Sequence, residues 1–221
     1  MHGRTGVAFI GLLASLSPVP RDFYRYGGGI LIAMLPAHLR DELELLAARD
    51  ALGITNTSEL VSIANRFLCN HVFDDELLRI IDATPPVRSE IFPHFKSFCE
   101  RHGIATSDKE SAIWVLLRCY MTRMSDAKNI AMDEFEAFQR EIAGRYDFVE
   151  HKNQMNGDSH GISQLFHLDM QYGWYISDPK LETEKRQDAL DCLDLIQSQM
   201  RDVALDWLAN HPTPKVETIP P

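Results

Sequence analysis

Two histidines stand close together along the chain, in the stretch MNGDSHGISQLFHLDMQYGWY of residues 155–175. His160 and His167, with the carboxylates Asp158 and Asp169 near them in sequence, are side chains that could bind a metal ion or transfer a proton. A helix separates residues seven positions apart by about 10.5 Å along its axis, whereas helical histidines that chelate one metal stand four positions apart. The two histidines therefore cannot share one metal ion from a continuous helix.

The same stretch is also typical of a loop that runs into a helix. In this interpretation Asp158 or Ser159 caps a helix that begins near Gly161, and His167 is a half-buried or surface residue. The packing face of that helix would consist of Phe166, Met170, Trp174 and Tyr175. We predict no catalytic residue, no cofactor-binding residue and no metal ligand. A metal-dependent or other enzyme that uses the His160 and His167 region is kept as an alternative.

Nucleophilic catalysis and nucleotide binding find little support in this sequence. We expect no G-x-S-x-G nucleophile elbow, because the strand that it would need is not predicted, and no P-loop or dinucleotide fingerprint occurs. The four cysteines are Cys69, Cys99, Cys119 and Cys192. They are widely spaced and form no C-x-x-C pair, which argues against a zinc knuckle or a redox motif. We expect reduced thiols that pack as small apolar groups, and a cytoplasmic protein without a cofactor.

Charge and length restrict the classes of partner. The 221 residues include 22 Lys and Arg against 32 Asp and Glu, so the formal net charge is −10. The molecule as a whole therefore does not attract phosphate backbones or anionic lipid, and nucleic-acid binding is not favoured. The apolar run VAFIGLLASL, residues 7–16, is too short to span a bilayer, so we expect no stable membrane insertion.

Apolar residues recur at helical spacing almost everywhere after residue 35. This periodicity predicts an all-α, orthogonal or bundle-like domain of at least six helices, with at most one short N-terminal strand. The predicted organisation is an N-terminal extension over 1–28, either disordered or packed on a helix, one helical domain over 29–210 and a flexible tail over 211–221. Within the domain we expect a helical hairpin with a strand over 29–72, central helices over 73–146 and C-terminal helices over 161–210.

One helix should form the centre of this domain. Ser107 and Glu110 have the spacing of a capping box, and the segment SAIWVLLRCYMTRM that they introduce, residues 111–124, is apolar on nearly all sides. We therefore expect the helix that contains Trp114 to be more buried than any other, and Trp114→Asp to unfold the protein. An earlier helix is expected to have Pro93 in its first turn.

The final helix is predicted from about Leu181 to Asn210. Its apolar residues form one regular seam, which consists of Leu193, Ile196, Met200, Val203 and Trp207. Seams of this spacing are typical of helices that pack against each other, including helices of two chains. The seam therefore predicts self-association, most plausibly as a dimer.

Residues 30–68 carry a further pattern, ILIAMLPAHLRDELELLAARDALGITNTSELVSIANRFL. A short apolar strand, Leu35-Pro36 at a helix start and the order of residues 53–60 resemble the ribbon-helix-helix family of dimeric DNA-binding regulators. The resemblance implies that strands of two subunits pair and enter the major groove, while the second helix holds a phosphate at its N-terminus. By this resemblance the phosphate and DNA contacts would be Thr55, Asn56, Thr57 and Ser58.

Three classes of function follow from these observations. The principal expectation is a non-enzymatic helical interaction or regulatory protein that binds a partner protein or a second copy of itself. The ribbon-helix-helix regulator is the first alternative, although Ile32 and Met34 stand where that family directs polar side chains toward bases. A helical hairpin without DNA contacts explains the same residues. The enzyme is the second alternative.

Overall fold

The computed structural model describes residues 35–104, 108–148, 157–177 and 186–212. Within these ranges the chain forms eight α-helices and no β-strand, which confirms the prediction of an all-α fold with at least six helices. The helices are α1 (Ala37–Ala51), α2 (Thr57–Cys69), α3 (Asp75–Asp82), α4 (Arg88–Arg101), α5 (Lys109–Ser125), α6 (Ala131–Ile142), α7 (Ser163–Ile176) and α8 (Arg186–Asn210). The predicted extension, most of the predicted strand and most of the predicted tail lie outside the described residues. None of the described helices has the length and apolar content that crossing a bilayer requires.

Helix α1 connects two hydrophobic clusters. Its residues Leu39, Leu43 and Leu46 pack in a cluster with α2, α3 and α4. Near the end of the helix, Ala48 packs in a second cluster with α5 to α8, and so does Leu52, the residue that follows α1. One helix therefore contributes to both cores, because its apolar residues cover more than one face.

The first cluster is closed by aromatic packing between helices. Phe67 of α2 meets Phe98 of α4 edge-on, with 5.5 Å between the ring centroids. Helix α2 begins at a capping box, since the Asn56 side chain accepts a hydrogen bond from the Glu59 amide and the Glu59 carboxylate accepts one from the Asn56 amide. Helix α4 begins at Arg88, so Pro93 lies in its second turn and the expected first-turn position was wrong.

Helix α5 is the centre of the second cluster. It packs against α1, α6 and α8 and carries more buried residues than any other described helix, as predicted. The Asp108 side chain caps this helix by accepting a hydrogen bond from the Ser111 backbone N–H, while Ser107 of the predicted capping box lies outside the described residues. Trp114 itself is only partly buried, so the stated reason for expecting Trp114→Asp to unfold the protein does not hold.

Helices α7 and α8 run antiparallel beside one another. Leu165 and Leu168 form the buried side of α7, with Phe166 half-buried beside them. The predicted packing face was therefore largely wrong, because Met170, Trp174 and Tyr175 are exposed. The predicted cap was also wrong. Helix α7 begins at Ser163 after Ile162, and no side chain caps it.

The cysteines differ in their surroundings. Cys99 is buried in the first cluster, and burial raises the pKa of its thiol to about 12. Burial likewise raises the pKa of Cys119, which is half-buried. Cys69 is exposed, so the expectation that every thiol is packed was wrong at this position. All four are free thiols, as expected.

Candidate functional site

His160 lies in the interior, in a cage of aromatic rings. Its side chain is 2% exposed, and its ring centroid lies 4.9 Å from that of Trp114, 5.5 Å from Tyr146 and 5.1 Å from Phe148. The backbone reaches this position through a single 3₁₀ turn, Asp158–His160. Histidines enclosed in this way contribute mainly through packing and fixed hydrogen bonds.

The glycines on either side make this turn feasible. Gly157 and Gly161 have φ values of +86° and +69°, which other residues rarely adopt. A Cβ atom at Gly157 would also lie 2.8 Å from the Ile162 Cγ1 atom. The turn therefore requires glycine at its first position for two independent reasons.

Residues 157–161 also read G-D-S-H-G, which matches the G-x-S-x-G pattern of the nucleophile elbow in serine hydrolases. In such an elbow the serine itself occupies a sharp, strained turn between a strand and a helix. Here the positive φ values belong to Gly157 and Gly161, and the backbone of Ser159 belongs to the 3₁₀ turn. The pattern is therefore present in sequence without the backbone geometry that gives it catalytic meaning.

A carboxylate from a distant helix faces the buried histidine. The His160 Nε2 atom lies 3.1 Å from Glu110 Oε1 and 3.3 Å from the Tyr146 hydroxyl oxygen. The Tyr146 hydroxyl also donates to Glu110, and the Trp114 indole N–H donates to Glu110 Oε1 at 3.1 Å. The hydrogen bond from Tyr146 and the nearby His160 lower the pKa of Glu110. Three side chains therefore hold this carboxylate in place.

The end of α8 is attached to the same cluster. The Trp207 indole N–H donates to the His160 carbonyl oxygen at 2.8 Å, and its ring stacks on Trp114 with centroids 5.9 Å apart. His211 stacks on Trp207 in turn, at 4.5 Å. Contacts from α5, the segment after α6 and the end of α8 therefore converge on His160.

A carboxylate, an imidazole and a phenol in contact could in principle transfer a proton. A surface depression among the described residues lies elsewhere, between α7 and α8. His160 is enclosed by rings, so a substrate would have to displace packed aromatic side chains to reach it. The cluster is best explained as the connection that fixes the ends of α5, α7 and α8.

The structure does not bring His160 and His167 into one site. His167 is exposed on α7, where its Nε2 atom lies 2.9 Å from the Gln171 amide nitrogen. Within the described ranges no three His, Cys, Asp or Glu side chains are arranged to hold a metal ion. Asp169 accepts a hydrogen bond from Gln139 of α6 at 3.1 Å, which fixes α7 against α6.

The surface depression is a groove along the outer side of the α7–α8 pair. Its volume is about 410 Å³. Its two apolar lining residues are Leu168, which is buried, and Val203, which is half-buried. The other lining residues are polar. The lining consists of Gln164, His167, Leu168 and Gln171 of α7 with Gln199, Asp202, Val203 and Asp206 of α8. We call this surface the α7–α8 groove.

Large apolar side chains are exposed next to the groove. Trp174 is 67% exposed, Leu195 57%, Met170 52% and Tyr175 38%. Tyr175 also contacts Cys192, whose thiol raises the pKa of the phenol. We call these four residues, which lie in the C-terminal half of α7 and the N-terminal half of α8, the apolar end of the α7–α8 pair. Exposed aromatic residues are enriched at protein-binding surfaces.

The outer surface of α8 is acidic. Among its described side chains five aspartates are exposed, namely Asp188, Asp191, Asp194, Asp202 and Asp206. The one described basic side chain, Arg201, is half-buried and donates to the Asn129 carbonyl oxygen at 3.0 Å. A partner would therefore meet a surface of negative potential beside the apolar end.

The predicted self-association seam faces the interior of its own chain. Ile196, Met200 and Trp207 belong to the second hydrophobic cluster, and Val203 packs against it. Leu193 is half-buried. The regular spacing of the seam is therefore explained by packing within one chain, and it no longer supports a dimer through α8.

The predicted phosphate contacts lie at the start of α2. Thr55 is buried, and its hydroxyl donates to the Leu46 carbonyl oxygen at 3.4 Å. The Ser58 hydroxyl donates to Asn56 Oδ1, and the Glu59 carboxylate at the same N-terminus pairs with Arg49. This arrangement is that of a capped helix start with its own carboxylate. The strand residues that the ribbon-helix-helix resemblance depends on are outside the described ranges, so that resemblance stays a prediction.

No protein-family model, no curated protein and no solved structure matches the chain.

Proposed function

We propose that the chain is a non-enzymatic helical interaction protein that binds a partner protein through the groove and the apolar end of the α7–α8 pair. The observation that carries the proposal is the exposure of Trp174, at 67%, beside three other exposed apolar residues. Tryptophan and tyrosine are the residues most enriched among those that dominate binding energy at interfaces. Water around these side chains would be released when a partner covers them.

The α7–α8 pair is attached to the rest of the fold by buried and polar contacts. Met200 is fully buried, and Trp207 is fixed by its hydrogen bond to the His160 carbonyl oxygen. The Asp169 side chain fixes α7 against α6. A surface held in this way binds with a smaller loss of conformational entropy than a mobile one. The His160 cluster thus supports the interaction surface rather than a reaction.

Charge favours a different protein over a second copy of this chain as the partner. Two copies of the same face would bring the exposed aspartates of α8 near one another. Like charges placed together across an interface weaken association. We therefore propose a partner protein, and self-association is an outcome of the test.

The test compares two double variants in parallel with the parent protein. Trp174→Glu with Leu195→Glu changes the apolar end. Phe73→Glu with Leu78→Glu is the matched control, because these apolar residues are 75% and 45% exposed but belong to the other half of the chain. Proteins retained from a cell extract by the immobilised parent are identified and produced recombinantly, and their Kd values are measured by calorimetry.

We expect the change at the apolar end to weaken binding of such a partner by about thirtyfold, the effect of losing one dominant interface residue. The control variant should bind as the parent does. A partner that binds both variants with the parent's Kd would contradict the proposal. The proposal of a different protein as partner is also contradicted if sedimentation shows that the parent protein self-associates and that, of the two variants, only the change at the apolar end abolishes self-association.

A further inference from the structure

Resting on the proposed function, we infer that the segment bound by the α7–α8 face is an amphipathic helix that carries Lys or Arg beside its apolar residues. Its cations would lie against Asp202 and Asp206 in the groove. Its apolar residues would cover Trp174 and Leu195 at the apolar end. This assigns a chemical class of partner to the surface.

The groove and the apolar end form one continuous stripe along α8. Leu195, Gln199, Asp202 and Asp206 stand at positions i, i+4, i+7 and i+11, which lie on one side of a helix. The last three line the groove, so Leu195 lies one turn beyond it on the same side. A partner that occupies the groove along its length therefore also reaches the apolar end.

Helix α7 forms the opposite wall of the groove, and its exposed residues also continue from the groove toward the apolar end. Gln164 and Gln171 line the groove, and Tyr175 follows Gln171 by one turn and contacts Cys192 of α8. From Gln164 to Tyr175 the axis rises by about 16 Å, the length of an eleven-residue helix. Amphipathic helices recur as ligands of grooves on protein surfaces. Here Leu168 and Val203 are the apolar residues of the lining, and the apolar end extends them.

The polar lining determines the sign of the partner's charge. Asp202 and Asp206 are exposed carboxylates, and the other polar lining residues are three glutamines and His167. No Lys or Arg is among the lining residues. A lysine or arginine of the partner would be attracted here, whereas a glutamate or a phosphate would be repelled.

The probes are two synthetic helical peptides of about 14 residues, long enough to cover the groove. They share the same leucine positions, and their polar positions are lysine in one peptide and glutamate in the other. Each is titrated into the full chain at low salt, and its Kd is measured by calorimetry. The lysine peptide should bind at least about tenfold more tightly than the glutamate peptide, and added salt should weaken its binding.

Variants locate the binding. Asp202→Asn with Asp206→Asn should weaken binding of the lysine peptide about fivefold, since each exposed ion pair contributes modestly. Asp41→Asn with Asp82→Asn is the control, because it removes the same charge from exposed positions of α1 and α3. That control should leave the Kd of the lysine peptide unchanged.

The outcomes separate this inference from the proposed function. Equal binding of both peptides, loss caused equally by the control variant, or no binding of either peptide overturns the inference of a basic partner. The apolar end is changed here without added charge, by Trp174→Ser with Leu195→Ser. If this change abolishes binding while the two peptides bind equally, the proposed surface stands and only the charge assignment fails. Lysine-peptide binding that is unaffected by this uncharged change contradicts both.

Discussion

The indole N–H of Trp207 donates a hydrogen bond to the backbone carbonyl oxygen of His160, across 2.8 Å and 47 residues of sequence. This contact joins the last turns of α8 to the turn that precedes α7. Because both groups are buried, neither can exchange its partner for water. The bond therefore contributes to fixing the relative position of the two helices that form the groove.

Trp207→Phe tests that dependence. The substitution keeps a large ring but leaves the His160 carbonyl without its donor, which should lower the free energy of unfolding by about 1–3 kcal/mol. Urea unfolding followed by circular dichroism measures the change. Trp174→Phe is the matched control at a 67% exposed position, where we expect a change within about 0.5 kcal/mol. Equal stabilities of the two variants would show that the hydrogen bond contributes nothing measurable.

The Glu110 carboxylate makes stability depend on pH in a defined direction. Its pKa in the folded protein is lowered from the ordinary value of 4.5, first by the hydrogen bond from Tyr146. The folded state therefore binds this proton less readily than the unfolded state does. The resulting stabilisation is complete above pH 4.5 and is lost as the pH falls through the lowered pKa.

Glu110→Gln isolates this contribution, because every other carboxylate is shared with the parent. The difference in free energy of unfolding between parent and variant should decrease as the pH is lowered from 7 to below 4.5. It should be small, since the Glu110 side chain is 55% exposed. A difference that stays constant over this range would contradict the assigned role of the ionised carboxylate.

Helix α5 should be the most sensitive element to loss of packing. Leu116 is fully buried, so Leu116→Ala should cost about 2–5 kcal/mol of unfolding free energy. The same substitution at Leu205, which is 52% exposed on α8, should change it by no more than about 0.5 kcal/mol. Chemical denaturation of both variants gives the comparison. Similar values for the two would mean that the core is misplaced.

The cysteines should react in an order set by exposure and pKa. Cys69 is exposed and should react first with a maleimide in the folded protein. Cys99 should react only on unfolding, since it is buried and its pKa is raised to about 12. Mass spectrometry of timed samples identifies each modified residue, and Cys69→Ser should remove the fastest step. Early modification of Cys99 would indicate that the first hydrophobic cluster opens readily.

Local signals in the sequence predicted the fold well. The long apolar segment of α5 depends on residues a few positions apart, and it was predicted correctly. The start of α7 was not, because Ile162 provides no side-chain cap. The G-D-S-H-G pattern at 157–161 shows a second limit of local patterns. The motif is present in the sequence, but the backbone does not have the geometry that its function needs.

The candidate site depends on contacts that no local pattern carries. Glu110 and Tyr146 contact His160 across 50 and 14 residues of sequence, and the spacing of these residues does not predict the contacts. Periodicity identified the seam of α8 correctly as an apolar stripe. It could not distinguish a stripe that packs within the chain, as Met200 does, from one that packs between chains. Nor could it predict that Trp174 extends beyond the packed core.

Hydrogen–deuterium exchange of the chain, alone and with its recombinant partner, tests the central claim most directly. Binding at the α7–α8 face should slow amide exchange in residues 164–175 of α7 and 195–206 of α8. It should leave α2 to α4 unchanged, because these helices belong to the other hydrophobic cluster. Protection confined to α2 to α4, including the start of α2 at Thr57, with none in α7 and α8, would contradict the account.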